Sequence, residues 1–530
     1  MKSKWVLIIV GIALMLVGCS NKVADKSGNG GALELNIGHN QEFMNFTTHN
    51  GGDNGFIWYA SNCYESLVYT SDEGIQPGLA TSWEEEDDAL TMHLREGVEF
   101  VDGSKFDAES VKGNIESLQR IQGQAVSFLK ILSEIKAIEV VDDYTIKFHF
   151  DMYNKVYLQE LASLYPFGMM SLNAYNETGY TDEVLSGTPL GTGQYQLSEY
   201  QQGKFYEFKR NPNYWGEEGK FDKVTIKIIP DQESMSLALR TGEIDMVFGS
   251  YQVNNIMFDE FKDVDGFTSK ESNNINKSHY IALNANARPF DDKNIRYAFS
   301  YAIDKTSIFK NILKERGSIA NVHLNPELPY CDVKVKPRDY NVDKANQLLE
   351  ESGWIMDEST GIRMKDGEAL TANIVYINGS SAYSDISLAI QSQLKVVGMD
   401  VKVEGLDMMS WWGKVMSGDF AVSLNSTIGV PYDPYVELTS MINMNTHAIG
   451  MVGIEEKSVI DEKISEIFTT NDPEQLQDIF DVIISKLQES GCDIPIYHEK
   501  EPVVFNSDKF ETVEFTDTVT FLRFDNVITK

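Results

Sequence analysis

Four cysteines in 530 residues leave little room for a disulfide framework. Cys19 ends an apolar leader, and Cys63, Cys331 and Cys492 remain, odd in number and widely spaced. That pattern fits neither a bonded scaffold nor a zinc motif, so small buried thiols are expected. Positive charge is scarce as well. The 45 Lys and Arg stand against 80 Asp and Glu, a formal charge of −35, or −37 once Lys2 and Lys4 leave with the leader. Such acidity argues against nucleic acid as a partner. Catalytic signatures are missing too: there is no His-Glu-x-x-His, no Gly-x-Ser-x-Gly elbow, no phosphate-cradling loop and no Cys-x-x-Cys. The 8 His are scattered, and carboxylates are too abundant for any pair to stand out. An enzyme is therefore not expected.

Long apolar runs are confined to the start. Lys2 and Lys4 precede residues 5–17, which are apolar but too few for a stable membrane span. Leu16-Val17-Gly18-Cys19 has the form of a lipobox, with cleavage before Cys19 and lipid on its sulfur. Residues 1–18 then read as a lipoprotein signal peptide and 19–31 as a polar, Gly-rich flexible tether. The body is expected outside the cytoplasm, anchored to the cell membrane through Cys19. At this length two or more lobes are expected.

What is present is alternation and punctuation. Tyr195 and Leu197 alternate with polar neighbours, Gln201-Gln202-Gly203-Lys204 is a polar tip, and Tyr206 and Phe208 alternate on a return strand, a hairpin pattern. Residues 94–111 predict a strand, an Asp-Gly turn and a helix capped by Asp107. Residues 140–150 predict one strand, and 158–164 a short apolar segment. Residues 237–241 predict a helix ended by Gly242. The polar, Asn-rich stretch 271–278 predicts a crossing between lobes, and 495–497 a crossing back. Ile295, Phe299, Ala302 and Ile303 share a helical face. A strand at 372–377, a helical stripe through Ile386, Ile390 and Leu394, and a strand at 399–403 make a βαβ unit with a parallel pair. Residues 460–468 and 475–487 read as amphipathic helices.

Several of these stretches resemble, in order, the solute-binding proteins of ABC importers, the oligopeptide, dipeptide and nickel family (family 5). The matching stretches are Gly191-Thr192-Gly193-Gln194-Tyr195-Gln196-Leu197, Asn211-Pro212-Asn213-Tyr214-Trp215, Tyr64-Glu65-Ser66-Leu67, residues 94–111, 292–305 and 340–354. The resemblance implies an α/β, two-lobed periplasmic-binding-protein type II (flytrap) fold with an extra subdomain inserted in lobe 1. Lobe 1 would comprise 32–277 plus 501–530, with the insert at about 63–187, and lobe 2 would comprise 278–500. It implies a monomer that hands its cargo to permease and ATPase subunits.

Within the family, Gly429-Val430-Pro431-Tyr432-Asp433-Pro434-Tyr435, Ser440-Met441 and His447 are similar to the nickel-binding branch. The resemblance implies that Tyr432 lines the pocket and that His447 contacts the metal of a nickel or other transition-metal chelate, with no cofactor of the protein's own. Asp433 reads as a structural cap. Val430 stands where the dipeptide branch places its amine-binding Asp. The resemblance places Tyr165, Gly168 and Ala125 where the nickel branch has the arginines that clamp the chelator's carboxylates, and Arg523 with Thr520 is the candidate substitute, which sequence alone does not place. Phe128, Tyr165 and Trp58 would supply stacking surface. Short peptides are the alternative ligand, and an extracytoplasmic hydrolase is a more distant reading. His39 and His49 read as surface residues.

Overall fold

The computed structural model describes residues 32–48, 55–71, 73–121, 129–176, 179–181, 184–185, 187–378, 382–427, 433–516 and 521–530. Cys19 with the leader and tether, His49, Ala125, Phe128, Val430, Tyr432 and Thr520 lie outside the described residues.

One mixed sheet runs through the molecule. Its strands lie in the order Tyr195–Gln201, Phe205–Arg210, Lys223–Ile228, Glu34–His39, Met246–Phe248, Asp493–Asn506, Phe267–Leu283, Val422–Ser426, Thr371–Ile377, Asp400–Leu406. Each half has its own parallel core. Glu34–His39 runs parallel to both Lys223–Ile228 and Met246–Phe248. In the other half Thr371–Ile377 runs parallel to Asp400–Leu406 and Val422–Ser426, as the βαβ pattern requires. The halves are joined by two long antiparallel strands, Phe267–Leu283 of 17 residues and Asp493–Asn506 of 14. Their pairing slips near Glu271, Ile275 and His279. Such bulges bend and twist a strand, so one strand can serve two differently oriented halves.

The cores follow the sequence pattern. Lys223–Ile228 alternates half-buried and buried, with Val224, Ile226 and Ile228 packed beside Leu35, Phe208 and Phe505. In the other half helix Tyr383–Val396 buries Ile386, Ile390 and Leu394 against Ile374 and Leu424. A separate four-stranded antiparallel sheet, in the order Ala80–Glu85, Ala89–Leu94, Thr145–His149, Ala137–Asp142, shares a core with helix Ala108–Ile121 through Leu90, Phe148, Val111 and Ile115. Cys63, Cys331 and Cys492 are free and buried.

Glu65 explains why three of the recurring stretches occur together. Its carboxylate accepts from Thr192 Oγ1 at 2.8 Å, Tyr214 Oη at 3.0 Å and Trp215 Nε1 at 2.9 Å. Burial pushes this carboxyl upward, and the three donors oppose that. The glycines beside it are steric: a Cβ on Gly191 would lie 2.0 Å from the Cys63 carbonyl oxygen, and one on Gly193 2.5 Å from that of Asn62.

One local expectation changes. Residues 140–150 form a hairpin, not one strand, because Asp142 turns the chain by accepting from the Tyr144 amide at 2.9 Å. The stretches read as crossings, 271–278 and 495–497, lie within the two long strands that join the halves. In the first, Asn276 pairs across the sheet with Glu501. In the second, Pro495 falls where the pairing slips opposite His279 and Tyr280, a position that tolerates a missing donor.

Candidate functional site

His447 sits on helix Thr446–Gly450, whose first turn is capped by Asn445 Oδ1, accepting from the His447 and Ala448 amides at 2.9 and 3.1 Å. The imidazole is buried and stacks on Tyr280, with centroids 4.9 Å apart and planes 23° apart. Its Nε2 lies 3.1 Å from Asp493 Oδ1. Its Nδ1 is buried and has no hydrogen-bond partner among the described residues.

Asp493 opens the second long strand and also takes His323 Nδ1 at 2.9 Å. The other nitrogen of His323 faces Glu437 Oε1 at 2.9 Å. Carboxylates flank both ring nitrogens, so both must donate and His323 is an imidazolium. Burial opposes that charge, but Asp493 and Glu437 overcome it and hold the ring up to about 10. Burial likewise opposes the charge on Asp493, yet His323 and the two imidazole hydrogen bonds hold it well below the usual carboxylate range. Because a carboxylate only accepts, this hydrogen bond uses a proton on His447 Nε2, and in the neutral ring the lone pair then lies on Nδ1.

His323, His447 and Asp493 bring potential ligand atoms within 4.8 Å of one another. They do not form a ready metal cage, because those atoms already hydrogen-bond one another. The arrangement instead matches the support that metal-binding imidazoles receive, in which the far ring nitrogen donates to a carboxylate.

Helix Pro434–Asn443, which carries Glu437, begins at Asp433. Asp433 Oδ1 accepts from the Tyr435 and Val436 amides at 2.7 and 3.1 Å, the cap read from sequence. Burial pushes Asp433 up to about 6. The second half of the sheet also carries the helices that meet the four-stranded unit. Asn154 Nδ2 donates to the Ile467 and Thr470 carbonyls at 3.1 Å each, and the Lys155 amide donates to Asn471 Oδ1 at 2.9 Å.

The other expected residues are dispersed. Trp58 is buried on the turn Ile57–Asn62, edge-on to Tyr251 at 5.5 Å. Tyr165 is half-buried, its hydroxyl without a partner among the described residues, packed on the core of the first sheet half. Gly168 has no room for an arginine, since even a Cβ would lie 2.7 Å from Thr48 Cγ2. Arg523 is solvent-exposed, and its charge acts on Glu65 and Tyr214. Among the described residues none of Trp58, Tyr165 and Arg523 makes a recorded hydrogen bond or ring contact with His447. His39 is fully buried, not a surface residue: Tyr59 Oη is 3.2 Å from its Nδ1, and burial lowers it to about 3. Tyr280, His323, Glu437 and Asp493 were missed in the sequence. The available signal was a lone polar residue inside an apolar run, as in Val322-His323-Leu324 and Cys492-Asp493-Ile494.

Residues 74–446 match the family model for bacterial extracellular solute-binding proteins, family 5. The nickel-binding periplasmic protein of Escherichia coli (strain K12) is 28% identical over 475 residues, covering 88% of this chain and 89% of that one. The oligopeptide-binding protein AppA of Bacillus subtilis (strain 168) is 26% identical over 429 residues, 75% of each chain. The crystal structure of NikA from Brucella suis in complex with Fe(III)-EDTA superposes with a TM-score of 0.87 at 27% identity, over 94% of this chain and all 100% of that one.

Proposed function

The chain is a family 5 bacterial extracellular solute-binding protein with the two-lobed fold of that family, and on this premise we propose that it captures a nickel or related transition-metal complex for an ABC importer. It belongs to a family of binding proteins, not enzymes. The observation that carries the metal reading is His447: a buried imidazole with one nitrogen tied to Asp493 and the other without a partner among the described residues. The near full-length likeness to a nickel-binding protein supports it. Imidazole suits nickel, copper and zinc alike, so the metal class is stated no more narrowly.

In this reading Tyr432 lines the pocket, and Phe128, Tyr165 and Trp58 supply aromatic surface. Arg523 with Thr520 takes the chelator's negative charge. The lobes are 32–277 plus 501–530, with an insert at about 63–187, and 278–500. Cargo favours the shut form by its higher affinity for it. In this reading, the hydrogen bonds of Asn154 and Lys155 with residues 467–471 help to hold the shut form. The protein is a monomer, tethered by lipid on Cys19 after removal of residues 1–18, and it delivers to permease and ATPase subunits.

A short peptide is the second reading. It is favoured by the oligopeptide-binding relative and by Gly168, which leaves no space for a carboxylate-clamping arginine. Calorimetric titration separates the two, with nickel alone, a nickel–histidine complex and a set of short peptides as titrants. Binding of the nickel complex that drops in His447→Ala supports the metal reading. Tight peptide binding with no response to either nickel titrant contradicts it.

A further inference from the structure

Within the metal-complex reading, on which this inference rests, we infer that Asp493 is a positioning residue that fixes His447 as the Nε2–H tautomer and reserves Nδ1 for the metal. The geometry leaves little choice. Asp493 Oδ1 receives both His447 Nε2 and His323 Nδ1, at 3.1 and 2.9 Å. His323 is held on its far side by Glu437, and Glu437 Oε1 also receives Asn445 Nδ2 at 3.3 Å. Asn445 in turn caps the helix that carries His447. The relay therefore closes on itself, from Asn445 through Glu437, His323 and Asp493 back to His447.

Each link has a distinct consequence. The carboxylate orients the ring and raises the basicity of the opposite nitrogen. Tyr280, stacked on one face, restricts rotation out of that orientation. His323 meets the same Asp493 oxygen and so holds that carboxylate in place beneath His447. Removing the acceptor without removing the imidazole should therefore weaken metal binding while leaving the ring in place.

The test has two independent parts. In wild-type protein free of metal, 15N spectra of labelled histidine, assigned with His447→Gln, should show a protonated Nε2 and a bare Nδ1 for His447. A protonated Nδ1 overturns the inference whether or not any variant folds. Next, Asp493→Leu, which carries no acceptor and is checked for folding by its melting curve, should bind the nickel–histidine complex about 10- to 100-fold more weakly. It should also show an altered tautomer signal at His447, which a merely structural loss would not produce. Unchanged affinity in Asp493→Leu, with His447→Ala still defective, overturns the inference and leaves the metal reading standing. Unchanged affinity in His447→Ala overturns both.

Discussion

His323 Nε2 donates to Glu437 Oε1 across 2.9 Å, with the two side chains 1% and 0% exposed. A buried ion pair of this kind is costly to break, because the surviving partner is left charged without water. His323→Gln should cost about 3–5 kcal/mol of stability. The pH dependence has a definite sign. The folded ring is held up to about 10, whereas an unfolded histidine titrates near about 6.5. Its stabilising contribution is complete below about 6.5 and is lost as the pH rises towards 10, by at most about 1.4 kcal/mol per pH unit. Denaturant melts at pH 6.5, 8 and 9.5 should show this decline in the wild type and a shallower one in His323→Gln. Parallel profiles would contradict the imidazolium assignment.

Asn154→Asp should weaken ligand binding from a distance. The carboxylate keeps the helix cap that Asn154 Oδ1 now gives the Val156 amide, because Asn and Asp cap equally well. It cannot donate to the Ile467 and Thr470 carbonyls, so on the proposed closing mechanism it opposes the shut form. About ten-fold weaker binding is expected, on the scale of one buried polar mismatch. Small-angle scattering should show wild-type protein contracting with ligand and the variant contracting less. Equal affinity and equal contraction would remove this contact from the closing mechanism.

Glu65→Ala should destabilise the fold by about 3 kcal/mol, since Thr192, Tyr214 and Trp215 would each lose their acceptor. Glu65→Gln, which keeps one acceptor oxygen, should cost less. Thermal melts check both, and a neutral Glu65→Ala would mean the three motifs are held by packing alone.

Much of the scaffold was legible because its signals are local. Gly242 stops its helix with φ of 74°, in the left-handed region that glycine adopts freely. Asp433, Asp107 and Asp292 cap where their side chains reach amides two or three residues on. The hairpin at Asp142 was hidden because Asp-Asp interrupts the alternation without the glycine that marks a tight turn. The strand at 271–278 was hidden because its partners come from the far end of the chain. The same limit governs the site. His447 could be found from its neighbours in sequence, but the residues that orient it lie elsewhere. Asp493 is 46 positions from His447 and 170 from His323, and nothing in either neighbourhood announces the contact.

Cys19→Ala should release the protein from the membrane fraction, since lipid on that sulfur is the expected anchor. A variant that stays membrane-bound through an uncleaved leader would point to residues 5–17 as the anchor instead. Fractionation followed by intact-mass measurement distinguishes the two.

The central claim is that the cargo is a metal complex held through His447. Native mass spectrometry of protein purified without chelators, with metal analysis of the same sample, tests it most directly. The account predicts a bound species containing nickel or a related transition metal, lost in His447→Ala. A bound peptide carrying no metal, retained in His447→Ala, would contradict it.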